Sequence, residues 1–167
     1  MIRAVAIDVD RALGDTRPLW EAFLADAARR FAPIAALDPA GLAHNRAEAA
    51  AELDRWAEAG VGDWRGSLER FAEDHAPVFL RPDAEASAAL RALVEDGVRL
   101  GAFTDAPEPL ARIALAQLGA ARRIEVLETG AGARERLLAR LGGDVPVVVS
   151  RNDLVKISGS ARAQAPR

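Results

Sequence analysis

Two carboxylates, Asp8 and Asp10, stand two residues apart directly after the apolar run Ile2-Arg3-Ala4-Val5-Ala6-Ile7. The run reads as a buried strand. Side chains two apart on an extended chain project to the same side, so the strand end presents both acids together. Open α/β sheets bind ligands at the carboxyl ends of their strands. There an acid pair can attack an electrophile and exchange protons around a cation. The same residues also read as a solvated turn in which Asp10 and Asp15 cap backbone groups.

Thr104-Asp105 is a second candidate. It ends the strand pattern Val98-Arg99-Leu100-Gly101-Ala102-Phe103 and precedes a helix that opens at Pro107. A hydroxyl in that position lies where free backbone N–H groups and the helix dipole favour an anion. Alternatively, Thr104 or Asp105 caps the Pro107 helix with Glu108 as its box partner. A further acid, Asp153, follows the apolar run Val145-Pro146-Val147-Val148-Val149. It reads as the cap of a short helix over 154–158. His44 and His75 lack a ligand-type spacing and read as surface or helix-end residues. Trp20, Trp56 and Trp64 read as packing anchors.

The elements that must position these residues follow from periodicity and punctuation. Leu19, Trp20, Phe23, Leu24, Ala27 and Phe31 recur at helical spacing after Asp15, Thr16 and Pro18. Pro33 and Pro39 punctuate a loop. A second helix is expected from about 42 to 59, and a third, shorter one from Trp64 to about Glu73. Asp83 opens a helix that ends at Gly97. Helices over 107–118 and 132–141 then alternate with strand candidates over 98–103, 123–127 and 145–149. Residues from Gly159 onward read as a frayed polar tail. Strand–helix alternation predicts an α/β fold: a Rossmann-like parallel sheet core of three layers. A small all-helical block interrupts it after the first strand.

The run Asp8-Val9-Asp10-Arg11-Ala12-Leu13-Gly14-Asp15-Thr16 resembles the first motif of the haloacid dehalogenase (HAD) superfamily, phosphatase-like branch. It matches at Asp8, Asp10, Leu13, Asp15 and Thr16, and it departs at Arg11 and Ala12. The element order fits along nearly the whole chain. The resemblance implies a discontinuous core, residues 1–15 and 80–167, with a helical cap at 16–79. It implies Asp8 as nucleophile, Asp10 as acid/base, and Thr104 with Asp105 on the phosphoryl group. It also implies Mg²⁺ held by Asp8, Asp10 and Asp153. The third motif's Lys is absent. Arg122, Arg123 and Arg134 are the basic residues near its place, and Arg123 is the expected phosphate grip. The fourth motif's Gly-Asp is also absent: Ser150-Arg151-Asn152-Asp153 follows the strand instead.

The implied activity is Mg²⁺-dependent hydrolysis of a small phosphorylated metabolite through an aspartyl-phosphate. The alternative is a catalytically degenerate HAD-like binding or regulatory protein, to which the departures at Arg11 and in the later motifs point. Carbon–halogen hydrolysis, which the superfamily also hosts, is disfavoured by the second acid, Asp10. Composition narrows the partners. Net charge is −3, and the 22 basic residues, all Arg except Lys156, are spread along the chain. That pattern argues against a nucleic-acid face. No apolar run is long enough to span a bilayer. The chain has no Cys, so it has neither disulfides nor thiolate ligands, which fits a cytoplasmic location.

Overall fold

The first strand is buried on both sides, and that property sets the architecture. β1 (Ala4–Asp8) carries Ala4 and Ala6 toward one apolar cluster, with Val5 and Ile7 toward another. A strand buried on both faces belongs at the centre of a parallel sheet. In the computed structural model, which describes residues 1–31 and 38–164, the sheet order is β3-β2-β1-β4 and every pairing is parallel. β2 spans Arg99–Thr104, β3 Val126–Thr129 and β4 Val147–Val148. Register pairs Asp8 with Phe103 and Ile7 with Val148, so the ends of β1 and β2 are level.

One face of the sheet is covered by α7 (Ala133–Leu141), whose Leu137 and Leu141 meet Ala4, Ala6 and Phe103. Gly101 allows this approach. A Cβ there would lie 2.6 Å from Leu137 Cδ1 and 2.9 Å from Leu141 Cδ1. The other face packs on α5 (Ala84–Glu95), α6 (Glu108–Gln117) and α8 (Arg151–Gln164), through residues such as Leu90, Leu93, Leu110, Ala114 and Leu154. The result is a three-layer α/β core. Asp83 caps α5 by accepting from the Ala86 N–H at 2.8 Å.

Between β1 and α5 the chain is helical. Val9–Leu13 form a single π-helical turn, followed by α1 (Arg17–Phe31), α2 (Pro39–Ala43), α3 (Arg46–Glu58) and α4 (Trp64–Phe79). This block is joined to the core. α4 packs on α6, Arg112 of α6 pairs with Glu69 of α4, and one cluster of buried residues runs from Val5 and Ile7 through Trp20, Phe23, Leu53 and Leu68. Trp20 contacts Phe23 at 5.6 Å and Trp64 at 6.4 Å between ring centroids, so both tryptophans serve as packing anchors.

Four expectations need correction. The helix expected over 42–59 is two helices, because Asn45 leaves the helical region (φ −131°) and its side chain caps the Glu48 N–H at 3.1 Å. The helix expected to end near Glu73 continues to Phe79, since Pro77 lies in its last turn, where Leu80 N–H still closes on the Ala76 carbonyl at 2.8 Å. The strand expected over 123–127 begins only at Val126. The supposed short helix and frayed tail are one helix, α8, held by the burial of Leu154 and Ala161 against the cluster that includes α5. Pro33 and residues 165–167 lie outside the described residues. Among the described residues, no helix is long and apolar enough to cross a membrane.

Candidate active site

The level ends of β1 and β2 open into a cleft of about 430 Å³, a volume suited to a small metabolite. Asp8 is the last residue of β1. Its carboxylate accepts the Arg11 N–H of the π-helical turn at 3.2 Å, and the Arg11 guanidinium lies 3.9 Å away with its side chain exposed to solvent. Burial, the largest influence, raises the Asp8 carboxyl above the ordinary carboxylate range. Neighbouring Asp10 acts in the same sense, while the Arg11 backbone bond opposes it. Among the described residues, the cation beside Asp8 is the exposed Arg11.

Asp10 is in the opposite condition. One carboxylate oxygen accepts from both the N–H (2.9 Å) and the hydroxyl of Thr16. The other accepts from Thr104 Oγ1 at 2.6 Å and from Arg46 Nη2 at 2.7 Å. Burial pushes the Asp10 carboxyl up. The charge and hydrogen bonds of Arg46, with those of Thr104 and Thr16, outweigh it, and the net direction is down. Asp10 is therefore held as an anion.

Arg46 is the organising side chain. It is the first residue of α3, only 3% exposed, and its guanidinium reaches Asp10, Thr16 Oγ1 (2.6 Å), Thr104 Oγ1 (3.4 Å) and Asp105. Its Nε also donates to Asp105 Oδ1 at 3.2 Å. The break between α2 and α3 turns this residue into the cleft. Sequence reasoning missed it. A signal was present, because an Arg in the first turn of a helix opposes the helix dipole and needs a partner elsewhere.

The remaining site candidates divide. Thr104 and Asp105 are at the cleft, with Thr104 Oγ1 also accepting the Ala106 N–H at 3.1 Å. Neither side chain caps α6, whose N-cap is Pro107. Arg123 is a correction. It precedes β3, so it lies at the amino end of the sheet, away from the cleft, and donates to the Gly119 carbonyl at 2.7 Å. Arg134 lines the cleft instead, in the first turn of α7. That turn follows Gly132, whose left-handed backbone (φ 67°) caps the helix without a side-chain bond, and the Ala133 N–H closes on the Gly130 carbonyl at 3.3 Å. His44, at the end of α2, lines the cleft, and His75 stacks on Phe71 at 4.0 Å. Arg17 is committed to Asp15, with bonds of 2.7 and 2.8 Å.

The donor set does not fit Mg²⁺, which wants several oxygen ligands in octahedral array. β4 ends at Val148, paired with Ile7, and the residue that follows, Val149, has no ligand atom. Asp153 is turned to Ser150, accepting its hydroxyl at 2.6 Å while Ser150 Oγ accepts the Asp153 N–H at 3.1 Å. Both Asp10 oxygens are taken, one of them by a guanidinium. Among the described residues, no three acidic or histidine side chains converge as metal ligands.

The chain is similar in structure to the crystal structure of a "putative beta-phosphoglucomutase" from Thermotoga maritima. The two are 18% identical, the match covers 95% of this chain and 82% of that chain, and the TM-score is 0.53. The likeness is one of fold, a parallel α/β sheet between helical layers. No family model matches the chain, and no curated protein does. A fold hosts many activities, so the chemistry rests on the residues of the cleft.

Proposed function

We propose that this cleft binds a small phosphorylated metabolite and that the protein is a HAD-like hydrolase with Asp8 as nucleophile. The observation that carries the reading is the contrast between the two acids. Asp10 is locked by a buried cation and two hydroxyls, whereas Asp8 lines the cleft at the end of the central strand, bonded to the Arg11 N–H and with the exposed Arg11 guanidinium 3.9 Å away. A carboxylate oxygen of Asp8 attacks phosphorus, the bond to the substrate oxygen breaks, and an aspartyl-phosphate results. Water then hydrolyses that intermediate and releases phosphate.

An anionic nucleophile approaching an anionic phosphate needs nearby positive charge. In this cleft Arg46, Arg134 and Arg11 supply it. Asp10, an anion with both oxygens engaged, holds Arg46, Thr16 and Thr104 in place rather than exchanging protons. It has no proton to give a leaving oxygen, so substrates whose leaving group is a weak base are the best suited.

An aryl phosphate is such a substrate. Hydrolysis by the wild type in EDTA, absent in Asp8→Asn, is the expected result. Equal rates for the two proteins would refute the nucleophile. A second reading, a phosphate-binding protein without turnover, is favoured by the buried Arg46–Asp10 pair. Phosphate binding with no Asp8-dependent hydrolysis would select it.

A further inference from the structure

We propose that the Asp105 carboxylate occupies the position of a substrate phosphoryl group on the buried Arg46 guanidinium, and that substrate displaces it there without a divalent metal. The proposal rests on the reading of the cleft as a phosphoryl site and names the residues that make it one.

The partners of Arg46 are of two kinds. Asp10, Thr16 and Thr104 are fixed: the Asp10 side chain is 9% exposed, and both threonines are buried. Asp105 differs, with its side chain 56% exposed at the mouth of the cleft. Nε and Nη2 of Arg46 both donate to the same oxygen, Oδ1 of Asp105. Two N–H groups along one edge of a guanidinium form the fork with which Arg grips carboxylate or phosphate.

Charge supports the assignment. Asp10 alone neutralises Arg46, so Asp105 adds an anion that neutralisation does not require. An exposed carboxylate rotates into water at little cost, and its departure uncovers the Nε–Nη2 edge while Asp10 and Thr16 keep the guanidinium in place. The uncovered edge adjoins Thr104, whose hydroxyl is 3.4 Å from Nη2. A phosphate monoester, doubly charged and tetrahedral, is a stronger ligand for that edge than a single carboxylate. The cation that this chemistry demands is then part of the chain, which agrees with a donor set that does not fit Mg²⁺.

Calorimetric titration with inorganic phosphate in EDTA tests the proposal, using the wild type, Asp105→Asn, Arg46→Gln and Arg46→Lys. Removing the internal competitor is expected to tighten phosphate binding by about fivefold or more in Asp105→Asn, and removing the fork to weaken it by about tenfold or more in Arg46→Gln. Added Mg²⁺ is expected to leave wild-type affinity unchanged. Should far-UV circular dichroism show Arg46→Gln unfolded, Arg46→Lys carries the comparison. It keeps the charge, loses the fork and is expected to bind phosphate more weakly than the wild type. Unchanged or weaker binding by Asp105→Asn, a requirement for Mg²⁺, or undiminished binding by the Arg46 variants would overturn the proposal and leave the phosphoryl-site reading standing. No binding by any protein, with or without Mg²⁺, would overturn both.

Discussion

At the scale of single residues the site depends on a buried ion pair. Arg46 and Asp10 are each shielded from water, and breaking such a pair leaves an uncompensated buried charge. Arg46→Gln is therefore expected to lower stability at neutral pH by about 3 kcal/mol in urea unfolding. The pH dependence has a definite sign. The Asp10 carboxyl is lowered in the folded protein, so its stabilising contribution is present above its ordinary value of about 3.9 and is lost as pH falls through the depressed folded value. The penalty of Arg46→Gln should then shrink below about pH 4, as Asp10 takes up its proton. A penalty independent of pH across that range would mean that the ion pair contributes nothing. Asp8 has the opposite sign, since burial raises it. Any stability it adds is complete below its ordinary value and disappears as pH rises through its folded value.

At the scale of elements, the strand ends place the acids and the helix breaks place their partners. β2 lies close under α7 because Gly101 has no side chain. In Gly101→Ala the new Cβ would press on the methyl ends of Leu137 and Leu141, and overpacking of this kind costs about 1–2 kcal/mol. A lowered midpoint in thermal or urea unfolding, with the sheet intact by circular dichroism, is the expected outcome. An unchanged midpoint would show that α7 yields freely. The four strands were legible in the sequence because apolar runs bounded by Gly, Pro and Asp are local signals. Asp8 and Thr104 were legible because each ends such a run, and Asp10 because it follows Asp8 by two residues, in the turn that leaves β1. Arg46 was not. Its position depends on a short break at His44-Asn45 inside an Ala-rich helical pattern, and on partners at Asp10, Thr16, Thr104 and Asp105 that only the tertiary fold brings together. Arg123 and Arg134 could not be told apart for a related reason. Which end of β3 faces the cleft follows from strand direction in the assembled sheet.

At the scale of the whole molecule, the helical block and the α/β core are joined in two ways. One apolar cluster runs through both, and Arg46 ties the start of α3 to the ends of β1 and β2. Shared burial of this kind predicts one cooperative unfolding transition. The three tryptophans, at 20, 56 and 64, all lie in the helical block, so fluorescence reports that block while far-UV circular dichroism reports the whole chain. Coincident urea transitions by the two probes are expected, and separated transitions would show the block to be an independent unit. The same tie bears on function, because ligands that engage Arg46 act on the join between block and core.

The most direct test of the account is to trap the covalent intermediate. The protein is mixed with an aryl phosphate in EDTA, quenched, reduced with borohydride, digested and analysed by mass spectrometry. The account predicts conversion of Asp8 to homoserine, the reduction product of an aspartyl-phosphate, with no such conversion at Asp10 and none in Asp8→Asn. Substrate turnover without modification of Asp8, or modification at another carboxylate, would contradict it.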